Sequence, residues 1–141
     1  MVLKDQPGDK YCAIRYDPVQ ELVYGGREDQ HIAVFDLRAG KFMCRLTGHT
    51  SWVYGLALDD TTLFSGSMDG KVRIWDREKN ECYNELGSVG TSCVHALLVY
   101  DNILYSANED SSIRAMDFSG PLGRSRAGLT GSSSAREGFP T

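Results

Sequence analysis

The sequence predicts an all-β fold assembled from short antiparallel strands. The segment Lys71–Trp75 alternates polar and apolar side chains, which is the two-residue period of a strand with one buried face. Turn-forming residues, such as the pair Asp69-Gly70, separate the short apolar segments between residues 48 and 76. The same pattern recurs after 40 or 41 residues, and a period in this range indicates an array of β-sheet repeats.

Three copies of this pattern lie in phase along the chain. Asp29 lies 40 residues before Asp69, and Asp110 lies 41 residues after it. In each copy the next strand ends in a further acid, and these three acids are Asp36, Asp76 and Asp117. Because Asp side chains commonly accept hydrogen bonds from nearby backbone N–H groups, we expect these acids to form turns. A calcium site is not favoured, because its oxygen ligands would need to cluster in one loop.

The remaining strands follow in the same order within each repeat. First strands are predicted at Cys12–Asp17 and Cys93–Val99, and fourth strands at Lys41–Leu46 and Glu81–Leu86. The repeats therefore occupy about residues 11–50, 51–91 and 92–118. Small differences in spacing between the copies fall in hairpin loops, which tolerate insertions.

The two ends of the chain depart from the repeat. Residues 1–10 form a lead-in, in which Val2-Leu3 is a candidate for the end of an outer strand. Residues 119–141 hold five Gly, five Ser and two Pro with few apolar side chains, a composition that predicts a disordered tail. The third repeat therefore lacks a fourth strand in this reading.

The segment His49–Asp76 closely resembles a WD40 repeat, the four-stranded blade of a β-propeller. The resemblance rests on the pair Gly48-His49, followed 26 residues later by Trp75-Asp76 at the end of a strand. It implies an incomplete propeller of about three blades. Since propellers close with about four to eight blades, the terminal blades should expose apolar faces and the third should present an unpaired edge at Ser112–Met116.

The same resemblance assigns a structural role to four polar or aromatic residues. It implies that His49, Ser65, Asp69 and Trp75 form a buried chain of hydrogen bonds. A hydrolase triad of Ser, His and Asp is the alternative, but the chain has no G-x-S-x-G or H-E-x-x-H motif to support an enzyme.

The other two repeats lack parts of this set. The first has Gly25 and Phe35 at the Ser65 and Trp75 positions, and the third has Gly90 and Met116 at the His49 and Trp75 positions. We expect the middle blade to be the most stable.

A face that WD40 proteins use for binding can be placed on this chain by position. The candidate partner-binding residues are Arg27, Glu28, Trp52, Tyr54, Met68, His95 and Glu109. Trp and Tyr are enriched at binding hot spots, although Trp52 and Tyr54 are equally compatible with the propeller core. His31 and His95 are isolated in the sequence, and each is interpreted as a solvent-facing or core histidine. Arg27 is the only cation of the set, so a phosphopeptide site is not expected.

Composition narrows the classes of function. The net charge is −4, and the tail adds positive charge, so residues 1–118 carry about −6. This acidic balance argues against general nucleic-acid binding.

No apolar run approaches the length of a membrane helix, and the N-terminus has no secretory signal. The four cysteines form no C-x-x-C pair, which favours reduced thiols over disulfides or zinc.

These observations predict a non-catalytic interaction scaffold with protein or peptide partners, no cofactor and no metal. The expected location is intracellular, in the cytoplasm or alternatively the nucleus. A second reading is a truncated or alternatively ended product of a longer WD40 protein, for example a substrate receptor of a ubiquitin ligase. The assembly state is left open, and self-association through exposed terminal blades is one of its alternatives.

Overall fold

The computed structural model describes residues 1–118 except residues 6, 9 and 88–91. Within these residues the regular structure consists of strands, arranged in three antiparallel sheets of four, four and three strands. No helix in this part of the chain is long and apolar enough to cross a membrane. The all-β prediction is confirmed, and each sheet corresponds to one blade of an unclosed propeller.

The strands of each blade follow one another in chain order. The first blade contains β1 (Tyr11–Asp17), β2 (Leu22–Arg27), β3 (Ile32–Asp36) and β4 (Lys41–Leu46). The middle blade contains β5 (Val53–Leu58), β6 (Thr62–Ser67), β7 (Lys71–Asp76) and β8 (Glu81–Gly87). The third blade contains β9 (Val94–Tyr100), β10 (Ile103–Asn108) and β11 (Ile113–Asp117).

The hairpin between the second and third strands repeats one backbone feature in every blade. Gln30, Gly70 and Ser111 occupy one position of this turn, with φ angles of 77°, 80° and 69°. The Asp that precedes each of them accepts a hydrogen bond from the backbone N–H two residues further on, at 2.9 Å from Lys71 in the middle blade. This Asp bridge stabilises a left-handed turn residue even where that residue is not glycine.

Two apolar clusters fill the spaces between neighbouring blades. The first interface, between the first and middle blades, includes Tyr24, Ile32, Val53, Leu63 and Trp75. The second interface, between the middle and third blades, is built by the following buried side chains: Ala57, Phe64, Val72, Ile74, Val94, Leu97, Leu104 and Phe118. Each blade therefore gains its core by packing on its neighbour, as expected for a repeat array.

Glycines on the second strands permit this close packing. A Cβ atom on Gly66 would lie 2.4 Å from Cγ1 of Val94, and one on Gly26 would lie 2.6 Å from the carbonyl oxygen of Val53. Such contacts are too short for any larger side chain without movement of the neighbouring strand. The third blade has Ala107 at the equivalent position.

A β-bulge recurs near the start of the innermost strand of every blade. The register skips one residue there, and the residues left unpaired are Cys12 in β1, Tyr54 in β5 and His95 in β9. A bulge twists the strand and redirects the extra side chain, and bulges are frequent beside functional sites. The three bulges place Cys12, Tyr54 and His95 at equivalent positions on adjacent blades.

The ends of the array follow the sequence prediction in part. In the third sheet β11 pairs with β10 alone among the described residues, so it is an edge strand. Residues 1–5 are not in a strand, and the side chain of Asp5 contacts Arg27 and Arg45 of the first blade. The predicted disordered tail, residues 119–141, lies outside the described residues.

Candidate functional site

Four side chains of the middle blade form one chain of hydrogen bonds. His49 Nδ1 lies 2.9 Å from Oδ2 of Asp69, and His49 Nε2 lies 2.6 Å from Oγ of Ser65. The indole N–H of Trp75 donates to Ser65 Oγ at 2.7 Å. The structure thus brings together all four residues that the sequence had grouped.

The direction of donation follows from the chemistry of each group. The Trp75 indole only donates, so Ser65 Oγ accepts from it and directs its own hydrogen to His49 Nε2. This arrangement assigns the imidazole hydrogen to Nδ1, which donates to the Asp69 carboxylate. Burial alone raises the pKa of Asp69, but hydrogen bonds from His49 and from the backbone N–H groups of Thr50 and Lys71 outweigh it and hold the pKa at about 2.

Burial makes this network unsuitable as a catalytic triad. Ser65 is 0% exposed, and its oxygen is already shared between Trp75 and His49. A nucleophile must reach a substrate carbonyl, and this hydroxyl cannot. The network satisfies polar groups in the core, where each would cost about 1–3 kcal/mol if left unpaired.

The first blade fills the same space with an aromatic ring. A Cβ on Gly25 would lie 2.7 Å from the ring of Tyr11, which packs on Phe35 with ring centroids 6.2 Å apart. The Arg27 guanidinium lies 5.4 Å from the centre of the Tyr11 ring. Tyr11 therefore occupies the volume in which a serine at position 25 would need to fit.

The third blade uses an amide instead. The Asn108 side chain donates to the backbone oxygens of Ser106 and Ser112, both at 3.2 Å. Ser106 is buried, as Ser65 is in the middle blade, but Met116 offers no N–H to it. The second strands of the three blades are thus surrounded by three different sets of side chains.

Two of the acids that end third strands, Asp36 and Asp76, accept hydrogen bonds from backbone N–H groups of the turn that follows. Asp36 Oδ1 accepts from the N–H of Ala39 at 3.0 Å. Asp76 Oδ1 accepts from the N–H groups of Glu78 and Lys79 at 2.9 and 3.0 Å. Asp117 ends β11 at the equivalent position. These contacts are those of turn-forming residues.

Three of the predicted partner-binding residues form a row of rings across two blades. The ring centroids of Trp52 and Tyr54 are 5.9 Å apart, and those of Tyr54 and His95 are 5.8 Å apart. Trp52 is 39% exposed and His95 is exposed, whereas Tyr54 is half-buried between them. The sequence left open whether Trp52 lies at the surface or in the core, and the structure places it at the surface.

The other predicted contact residues divide between the surface and the interior. Met68 and Glu109 are exposed, and Glu28 is half-buried. Arg27 was expected at the surface, and this is wrong, because the residue is 2% exposed. Its guanidinium is held by Asp5 at 2.8 Å and by Asp29 at 2.7 Å, two acids whose proximity the sequence alone did not reveal.

Two further groupings were missed from the sequence. Arg77, which follows β7, forms a buried ion pair with Asp17 of the first blade. His95, which appeared isolated in the sequence, has Cys93 and Glu109 beside it, and ligand atoms of all three lie within 4.8 Å of one another. The short spacing Cys93-x-His95 was the one available signal in the sequence.

Comparisons with known proteins agree with this architecture. The WD domain, G-beta repeat family model matches residues 40–76. Mitochondrial division protein 1 of Neurospora crassa is 35% identical over 80 residues, which are 57% of this chain and 12% of that protein. F-box/WD repeat-containing protein 8 of Mus musculus is 31% identical over 74 residues, 52% of this chain and 12% of that protein.

A solved structure extends the agreement to the fold. The crystal structure of the Cps50 (Swd1) β-propeller domain of Myceliophteria thermophila superposes with a TM-score of 0.68 at 19% identity, covering 79% of this chain and 37% of that one. The architecture defines a partial β-propeller. The family model places one WD40 repeat at residues 40–76, and the chain is similar to WD-repeat proteins. It spans about one eighth of the length of the two curated relatives named above.

Proposed function

We propose that this chain is a non-catalytic interaction module that binds a protein or peptide through its bulge face. The bulge face is the surface formed by Trp52, Tyr54, Met68, His95 and Glu109. The row of rings from Trp52 to His95 is the observation that carries this proposal. WD40 propellers are generally non-catalytic interaction scaffolds, and exposed aromatic and Met side chains supply contact area at binding hot spots.

The charges around the bulge face favour a basic partner. Glu109 is exposed on it and Glu28 is half-buried nearby, whereas the Arg27 guanidinium is engaged by Asp5 and Asp29. A Lys or Arg side chain is attracted both by carboxylates and by the faces of Trp and Tyr rings. We therefore expect peptides that carry Lys or Arg beside an apolar residue, and no preference for phosphorylated peptides.

A peptide-display library selected on the immobilised full chain tests this proposal. We expect the selected peptides to be enriched in Lys or Arg. With one such peptide, Trp52→Ala should weaken binding by about 2 kcal/mol, which is typical of a central aromatic hot spot. Fluorescence polarisation with the labelled peptide measures the dissociation constant.

Tyr100→Ala is the matched control for this experiment. Tyr100 is exposed at the opposite end of β9 from His95, so its removal should leave peptide affinity unchanged. Circular dichroism of each variant verifies that the fold is intact. Equal affinities of wild-type and Trp52→Ala chains for every selected peptide would refute binding through the bulge face.

Two finer statements accompany this proposal. An intracellular location, in the cytoplasm or nucleus, agrees with four cysteines that are free in the structure. A place within a ubiquitin ligase is suggested by the likeness to an F-box/WD repeat-containing protein. Fractionation of cells that express the tagged chain, followed by identification of co-purifying proteins, tests both statements.

A further inference from the structure

A cysteine, a histidine and a glutamate converge at the bulge of the third blade. Cys93 immediately precedes β9, His95 is the bulge residue of that strand, and Glu109 follows β10. The backbone N–H of Glu109 donates to the carbonyl oxygen of Cys93 at 2.9 Å, which holds the two segments together. The bulge turns His95 toward Cys93, with Sγ and Nδ1 3.9 Å apart.

We propose that Cys93, His95 and Glu109 bind a divalent transition-metal ion of the zinc class. One ligand atom from each residue lies within 4.8 Å of the other two. Ligand atoms of a tetrahedral zinc ion are roughly 3.5 Å apart, given metal–ligand distances of about 2.0–2.3 Å. A small rotation of the exposed His95 and Glu109 side chains closes this difference, while the buried Cys93 stays in place.

The ligand atoms of Cys93, His95 and Glu109 determine which metal ions the site prefers. Thiolate sulfur and imidazole nitrogen favour zinc and similar ions, whereas calcium and magnesium require oxygen ligands. Binding converts the Cys93 thiol to a thiolate, and its proton passes to solvent. Three protein ligands leave a fourth coordination position for water.

The surroundings of the cluster are consistent with an occupied site. The Tyr54 ring lies 5.8 Å from the His95 ring and limits the directions in which the imidazole can turn. Burial, followed by the charge of Glu109, raises the pKa of the Cys93 thiol, and a bound cation would reverse this electrostatic effect. The site goes beyond the proposed function, because it binds an ion whether or not a peptide partner exists.

Titration of the reduced full chain with Co²⁺ alone tests this site. We expect one ion per chain, a near-ultraviolet sulfur-to-cobalt charge-transfer band, and loss of the band when Zn²⁺ is added. His95→Ala and Glu109→Gln should each weaken Co²⁺ binding by at least about tenfold, since removing even an outer partner of a metal ligand costs 10–100-fold. Both residues are exposed, so these variants should keep the fold.

Two cysteine variants complete the experiment. Cys93→Ser should abolish the charge-transfer band, whereas Cys44→Ser, which alters a half-buried free cysteine of the first blade, should leave it unchanged. A band that persists in Cys93→Ser, or wild-type affinity in both His95→Ala and Glu109→Gln, would overturn the site. Because no peptide is present, the result is independent of the test of the bulge face.

Discussion

The two blade interfaces use different kinds of contact at the same position of the repeat. Arg77 follows β7 and Phe118 follows β11, 41 residues later. At the first interface Arg77 pairs with Asp17 and donates to the carbonyl oxygen of Asp60 at 2.9 Å. At the second interface Phe118 packs on Phe64, with ring centroids 4.6 Å apart.

This difference shows that the repeat determines the position from which a side chain contacts the preceding blade. It does not determine whether that side chain is charged or apolar. In both cases the residue after the third strand extends back to the preceding blade. The Arg77–Asp17 contact is electrostatic. Burial of the Arg77 charge costs desolvation free energy, and the lowered pKa of Arg77 reflects this cost. The Phe118–Phe64 contact is apolar, and its contribution to stability is roughly proportional to the apolar area that it buries. The two interfaces should therefore respond differently to substitution and to pH.

The largest effect should come from removing the acid of the first interface. Asp17→Ala leaves the buried Arg77 guanidinium without its anion, and breaking such a pair typically lowers the free energy of unfolding by about 3–5 kcal/mol. Urea unfolding of the full chain at neutral pH, followed by circular dichroism, measures the change.

Two variants show whether the charge is responsible. Asp17 also accepts from the backbone N–H groups of Val19 and Gln20, so Asp36→Ala, which removes only a comparable turn contact, should cost about 1 kcal/mol. The double variant Asp17→Ala/Arg77→Leu should recover part of the loss because no unpaired charge remains. If Asp17→Ala is no worse than Asp36→Ala, the ion pair does not hold the first interface.

A smaller loss is expected at the second interface. Phe118→Ala removes the ring that packs on Phe64 and should lower the free energy of unfolding by about 3 kcal/mol, the lower end for such changes. The lower value is expected because, among the described residues, β11 pairs on one side only and can relax. Phe118→Leu, which keeps most of the apolar volume, should cost less than about 1.5 kcal/mol. Equal losses for the two variants under urea unfolding would contradict this prediction, because they would show that apolar volume at position 118 does not hold the second interface.

The smallest effect is the acid dependence that Asp69 contributes in the middle blade. The pKa of Asp69 is about 2 in the folded chain and 3.8 ordinarily, so the unfolded state binds more protons between these values. Stability from this group is therefore present above about pH 4 and is lost as pH falls toward 2. The loss is at most about 2.5 kcal/mol, since one unit of pKa corresponds to about 1.4 kcal/mol.

A comparison of two chains isolates this contribution. Other acids, including Asp29 and Asp110, also have lowered pKa values, so the wild-type chain loses more than the Asp69 share. Asp69→Asn should lose less stability between pH 5 and pH 2.5 than the wild type does, as measured by urea unfolding. Identical losses would show that the hydrogen bonds to Asp69 do not stabilise its ionised form.

The repeat architecture could be predicted because its causes are local. Alternation along Lys71–Trp75 and the Asp of each second hairpin depend on neighbouring residues alone, and both have the expected structure. The grouping of His49, Ser65, Asp69 and Trp75 came from resemblance to a known repeat, since these residues are up to 26 positions apart. Greater stability of the middle blade stays a prediction.

The candidate sites depended more on tertiary structure. The sequence placed Trp52 and His95 in the right region, but the ring row and the burial of Arg27 follow from which strands pack together. Asp5 and Asp29 converge on Arg27 from different segments, and such pairing has no signature in a single sequence.

The sequence by itself determined three in-phase repeats of strands, their turn acids and the edge at β11, because strand periodicity and turn chemistry act over a few residues. Tertiary structure alone decided the bulge face, the ion pair of Arg77 with Asp17, and the meeting of Cys93, His95 and Glu109. These features require a one-residue change of register in β9 and the packing of one blade on the next. Both depend on contacts between residues far apart in the chain, which local preferences do not specify.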